Sequence, residues 1–157
     1  DHRDLHLSIR RQRQMCIRDR SALLLDELLT ELAENDPEKI GAIFDHKSGS
    51  RGDILIHGHC HQKALVGMAP TEAALRTAGY RPTTIESACC GMAGSFGYEA
   101  EHVSMSKSIG QILFDQIESG PEGMLITCGA SCRAQLASYF SEEPVHPIEK
   151  IAEILVD

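Results

Sequence analysis

One short apolar run constrains the fold of this chain more than any other feature. Ile54-Leu55-Ile56, bounded by Gly52-Asp53 and Gly58, is brief, β-branched and unalternated. A strand with that pattern is buried on both faces, as happens in a parallel sheet covered by helices on each side. Thr83-Thr84-Ile85 and Met124-Leu125-Ile126 read as two further strands. Between and around the strands the apolar period is helical. Leu25, Leu28, Leu29 and Leu32 form one stripe, and Asn35-Asp36-Pro37 ends it before a short turn of helix through Ile40 and Ile43. Residues 45–53 read as a loop. Helices are expected from Thr71 to Ala78, from Glu99 to Glu118 with Met105, Ile109, Ile112, Leu113 and Ile117 facing inward, and from Ser131 to Phe140. A last helix after Pro147 should bury Ile148, Ile151, Ala152 and Leu155. The expected fold class is α/β: a three-layer, Rossmann-like module with a mainly parallel sheet of three to four strands and helices on both faces.

The cysteines fall on this pattern in an informative way. Cys60 follows the first strand, Cys89 and Cys90 follow the second, and Cys128 and Cys132 follow the third. The carboxyl ends of parallel strands share one edge, so topology alone would collect these thiols at one locus. Gly91, Gly94 and Gly129 flank them and let backbone approach a bulky inorganic core, while Ser95 and Ser131 offer hydroxyl donors. His57, His59 and His61 alternate around Cys60, so in an extended chain they share a face opposite to it. His59 or His61 could serve as a metal ligand or as a donor behind one, or could simply hydrogen-bond in the turn. His146-Pro147 starts the last helix and is expected near the same edge. Met92 and Phe96 read as packing residues that shield the site. Gly91-Met92-Ala93-Gly94 departs from the dinucleotide fingerprint, and there is no P-loop.

Composition narrows the class. The net charge of −8 argues against nucleic-acid binding, which needs clustered Lys and Arg. No apolar run approaches the ~20 residues that span a bilayer, and a secretory signal is not evident. Six cysteines under those conditions favour a reducing, cytoplasmic compartment, with thiolates acting as metal ligands or redox groups. Residues 1–20 differ from the rest: they carry six Arg against three Asp without any sustained period. They resemble a translated adapter read-through and are expected to be non-native or disordered, which sets Cys16 aside as a ligand. Residues 21–157 are expected to be a single domain.

The segments His57-Gly58-His59-Cys60-His61-Gln62-Lys63-Ala64 and Glu86-Ser87-Ala88-Cys89-Cys90-Gly91-Met92-Ala93-Gly94-Ser95-Phe96-Gly97-Tyr98-Glu99 resemble the cysteine-rich CCG domain. That domain occurs in one of the subunits of heterodisulfide reductase, in anaerobic glycerol-3-phosphate dehydrogenase and in the glycolate oxidase iron–sulfur subunit. The extended motifs look most like the C-terminal region of fused FAD-binding and iron–sulfur proteins of the D-lactate and D-2-hydroxyglutarate dehydrogenase type. Gly129-Ala130-Ser131-Cys132-Arg133 and His146-Pro147 fit the tail of that region.

The resemblance implies electron transfer through an iron–sulfur cluster, of the 4Fe–4S type, held by Cys60, Cys89, Cys90 and Cys132; zinc is the alternative metal. It implies FAD in a separate part of the parent protein, flavin and ferredoxin-like domains as partners, and membrane association only through partners. The fragment alone is not expected to be catalytic. The family pattern usually ends C-x-x-C, whereas this chain reads Cys128-Gly-Ala-Ser-Cys132, so Cys128 either replaces a ligand or packs at the strand end. The family also usually carries two such modules, which would make residues 21–157 the C-terminal part of a tandem. Two other classes compete with the iron–sulfur reading. One is a structural zinc module that docks onto a partner. The other is a metal-free thiol enzyme or redox switch working through Cys89 or Cys90.

Overall fold

The computed structural model describes residues 25–44, 50–86 and 89–155. Residues 1–20, with the expectations attached to them, lie outside the described residues. The elements in chain order are α1 (Leu25–Asn35), α2 (Pro37–Ile43), β1 (Asp53–His57), α3 (Cys60–Leu65), α4 (Ala69–Thr77), β2 (Arg81–Thr84), a 3-10 turn (Phe96–Tyr98), α5 (Val103–Ser119), β3 (Met124–Thr127), α6 (Ala130–Phe140) and α7 (Pro147–Ala152).

The three strands form one sheet in the order β2-β1-β3, and both pairings are parallel. The central position of β1 explains its unbroken apolar run: four of its five residues are buried. Pro82 lies in β2, an edge strand, where its missing N–H removes no bond from the interior of the ladder. Asp53 and Arg81 are register partners, and the guanidinium grips the carboxylate through two 2.7 Å hydrogen bonds at the amino end of the β1–β2 pair. Val145 extends the other edge through a bridge to Ile126.

Alternation along β1 divides the interior into two layers. Ile54 and Ile56 face a core with Ile40, Phe44, Ala74, Leu75, Ile126 and Ile151, supplied by α2, α4 and α7, with Leu29 and Leu32 of α1 packed against it. Leu55 faces the second core, with Cys90, Met92, Leu113, Phe114, Cys132 and Leu136, supplied by the loop after β2 and by α5 and α6. The three-layer α/β expectation is borne out, and the second core contains two of the cysteines.

Several local expectations need correction. The long helix begins at Val103, and its buried residues are Ser106, Gly110, Leu113 and Phe114; Met105, Ile109 and Ile112 are exposed. The two stripes lie side by side on the helix, and Gly110 decides between them. A Cβ there would stand 2.7 Å from the Cys90 carbonyl oxygen, so the helix meets the cysteine loop along its small residues. At the C-terminus, Ile151 and Ile154 are buried, whereas Ala152 and Leu155 are exposed, because α7 ends at Ala152 and the chain leaves the helical period. Leu25 and Leu28 are exposed as well, leaving Leu29 and Leu32 to anchor α1. Helix α3, opening at Cys60, has no counterpart in the sequence reading.

Phe114 is fully buried, stacked on Tyr139 at 4.0 Å between centroids and edge-on to Phe140 at 6.0 Å. Its replacement by Ala leaves a cavity that joins α5 to α6. Phe114→Ala is expected to cost about 3–5 kcal/mol, read as a drop in the urea midpoint at unchanged m-value.

Candidate metal centre

The carboxyl ends of the three strands deliver the site. Beyond His57 the chain turns through Gly58 and His59 into α3, whose first residue is Cys60. Beyond β2 it enters the loop that holds Cys89 and Cys90, and beyond β3 it passes Cys128 and Gly129 into α6. Cys132 sits in the first turn of α6 and faces back toward the sheet, next to Gln135 and Leu136 on the buried side of that helix.

The innermost group is His57, Cys90 and Cys132. All three are buried, and their ligand atoms lie within 4.8 Å of one another. The two thiols are hydrogen-bonded to each other. The hydrogen bond from Cys132 holds the Cys90 thiol well below the usual thiol range against the opposing effect of burial, and a hydrogen bond from His57 adds to the lowering. Cys132 moves the other way, since it donates to Cys90, is buried, and faces the charges of Cys90, Cys60 and Cys128. Cys60 and Cys128 thus lie within electrostatic reach of Cys132. Cys60 is exposed and Cys128 half-buried, which places them nearer the mouth.

The remaining expected residues take distinct positions. Cys89 is half-buried and its Sγ accepts a hydrogen bond from the Gly91 N–H at 3.3 Å. The Cys128 thiol donates to Gln62 Oε1, and Gln62 Nε2 donates to Thr71 Oγ1 at 2.7 Å. His59 and His61 do not continue an alternation with His57. The strand ends at His57, His59 occupies the N-cap of α3, and Cys60 already belongs to the helix. The two rings instead line a cavity of about 490 Å³ with His146, Gln62 and Cys128 among apolar residues of α1, α3 and α7. His146 also caps α7, its Nδ1 accepting from the Ile148 N–H at 3.2 Å. A Cβ on Gly129 would meet both the His59 ring at 2.6 Å and Cys132 Sγ at 3.0 Å, so this glycine stands where the cavity and the centre adjoin.

The loop 91–94 is wound by positive φ at Gly91, Ala93 and Gly94. Gly94 and Ser95 are exposed, and Ser131 is half-buried. Met92 is buried behind Cys90 as expected, whereas Phe96 is half-exposed and stacks on His102 at 4.2 Å. Behind Gly91 lies a buried polar contact absent from the sequence reading: Gln135 Nε2 donates to Ser106 Oγ at 3.0 Å. A glutamine three residues after Cys132 on the apolar side of a helix was its one visible signal. His57 was missed for a similar reason. It alternates with Leu55 in a buried strand, so it had to enter the second core. Thr127, its register partner on β3, is likewise buried.

Soft thiolates with one imidazole, compactly placed and backed by backbone without Cβ at Gly91 and Gly129, are a donor set suited to an iron–sulfur cluster or to zinc. The residues fit such a group. Gly91 is the critical backbone element. Its φ is +94°, and a Cβ would lie 1.9 Å from the Ser106 carbonyl oxygen. Gly91→Ala is therefore expected to lower stability by more than the ~1–3 kcal/mol of left-handed strain alone. Thermal unfolding of the metal-free protein measures this.

Comparison with known proteins gives relatives among dehydrogenases and an oxidase subunit. The chain is 32% identical over 103 residues to a subunit of the anaerobic glycerol-3-phosphate dehydrogenase of Escherichia coli strain K12, covering 65% of this chain and 26% of the relative. It is 30% identical over 101 residues to D-2-hydroxyglutarate dehydrogenase of the same strain, covering 62% and 10%. It is 29% identical over 134 residues to the glycolate oxidase iron-sulfur subunit of that strain, covering 81% and 30%. The chain thus spans between a tenth and a third of the length of these relatives. No protein-family model and no solved structure matches it. Among the described residues no helix is long and apolar enough to cross a membrane.

Proposed function

Starting from homology to the CCG-type cysteine-rich region of FAD- and iron–sulfur-dependent hydroxyacid oxidoreductases, we propose that this chain is an iron–sulfur electron-transfer domain. The observation that carries the reading is the convergence of His57, Cys90 and Cys132, one side chain from the end of each of the three strands or beyond it, on one buried group. Cys60, Cys89, Cys90 and Cys132 hold the cluster, a 4Fe–4S centre, with Cys128 beside them. When bound, such a cluster accepts and passes on single electrons. The chain's own residues exclude water from its inner side through Met92, Leu113 and Leu136, and keep Cys90 and Cys132 in place from the loop and from α6.

In the parent protein, residues 21–157 are one module of a tandem. Electrons come from FAD held elsewhere, which oxidises a 2-hydroxy acid, and ferredoxin-like segments complete the path. The setting is cytoplasmic, with any membrane association made through partners. The electron-transfer role is supported by relatives that include a subunit named for its iron–sulfur content.

Anaerobic reconstitution with iron and sulfide is expected to yield a brown protein with visible charge-transfer absorption and an EPR signal. Both should vanish in the Cys89→Ser, Cys90→Ser double variant. One observation favours a second reading: three buried donors within 4.8 Å also suit a single tetrahedral zinc. A colourless protein purified with one zinc per chain, unfolding on chelation, would establish that structural module and reject the cluster.

A further inference from the structure

The metal centre has a polar floor that the cysteine motif does not explain. His57 and Thr127 end β1 and β3 and are register partners across the parallel pair. Register partners leave a parallel sheet on the same face. That face carries Leu55 and Leu125 into the core that also contains Cys90 and Cys132. Both floor residues are sealed from solvent, at 1% and 0% exposure. The imidazole hydrogen-bonds Cys90 and belongs to the donor group. The Thr127 hydroxyl has no hydrogen-bond partner among the described residues.

A buried hydroxyl left unpaired is destabilising, because its lost hydration is not repaid. Valine has nearly the same shape, suits a strand as well, and carries no such penalty. A threonine at this position therefore points to an acceptor that arrives with the cofactor. Sulfide and thiolate sulfurs accept hydrogen bonds, and donors to cluster sulfurs are among the features that set a cluster's reduction potential. Added positive dipoles favour the state that carries more negative charge, which is the reduced one.

We propose that His57 and Thr127 form a donor pair beneath the metal centre, the imidazole holding the Cys90 sulfur and the Thr127 hydroxyl donating to a sulfur of the bound cluster. The proposal rests on the iron–sulfur reading above and adds to it a means of setting the potential. It separates the two states of the protein. The hydroxyl is a burden in the metal-free chain and an asset in the loaded one.

The test compares wild type with Thr127→Val, using the 157-residue chain, with and without the metal. Metal-free Thr127→Val is expected to melt at or above the wild-type temperature. The same variant, reconstituted anaerobically, should show a more negative midpoint potential and lose iron to a chelator several-fold faster. Thr127→Ser should restore both properties, and Thr127→Ala should give the same loss with a smaller side chain. His57→Leu should shift the midpoint in the same direction, and His57→Gln, which keeps an N–H donor, should shift it less. Wild-type midpoint and chelation rate in Thr127→Val and Thr127→Ala would overturn the proposal and leave the iron–sulfur reading intact. Failure of wild type itself to take up iron and sulfide would instead overturn the underlying reading.

Discussion

The parallel hydrogen-bonded register of β1 between β2 and β3 is the constraint on which the rest of the structure depends. Asp53 to Ile56 pair with Arg81 to Thr84, and Ile54 to His57 pair with Met124 to Thr127. With all three strands running one way, their carboxyl ends open on a single edge, and segments about 30 and 40 residues apart are brought together there. A one-residue slip would exchange the two faces of β1, moving His57 out of the cysteine layer and Ile56 into it. The geometry of the centre is thus inherited from backbone pairing rather than from the cysteines' own attraction.

Burial then sets the chemistry. Cys90 and Cys132 meet in a layer that also contains Phe114 and Leu136, where an isolated thiolate would be costly. Hydrogen bonds from Cys132 and from His57 to Cys90 offset that cost. A cation or cluster held there would place a stronger positive charge beside these sulfurs and would favour their thiolate form. Ser106 and Gln135 satisfy one another nearby, which leaves Thr127 as the polar group of this layer without a partner among the described residues. Across Gly129, whose Cβ would meet both the His59 ring and Cys132 Sγ, the centre adjoins a largely apolar cavity lined also by His61, His146 and Cys128.

Much of this was legible along the chain. The unalternated run at Ile54-Leu55-Ile56 foretold a central parallel strand, and the placement of cysteines after strands foretold the meeting of Cys90 and Cys132. Asp36-Pro37 marked a helix boundary, and the Asp36 side chain does accept from the Lys39 N–H. What periodicity could not resolve was which of two adjoining stripes on α5 turns inward. Met105, Ile109 and Ile112 are the more hydrophobic, yet the helix packs through Ser106 and Gly110, because the cysteine loop needs close approach more than it needs apolar area. The histidines failed for a related reason. Their alternation presumed an extended chain, and the start of α3 at Cys60 ended it.

The sequence by itself determined the α/β class and the parallel order of the cysteine-bearing segments, because both are encoded in local pattern and spacing. Only the tertiary structure decided that His57 joins Cys90 and Cys132, that Cys128 is engaged by Gln62, that His59 and His61 belong to a cavity wall, and that Thr127 is buried beside His57 without a hydrogen-bond partner among the described residues. Those outcomes depend on which face of a strand meets which helix. That choice is made by the register and packing of segments far apart in the chain, and no local pattern contains it.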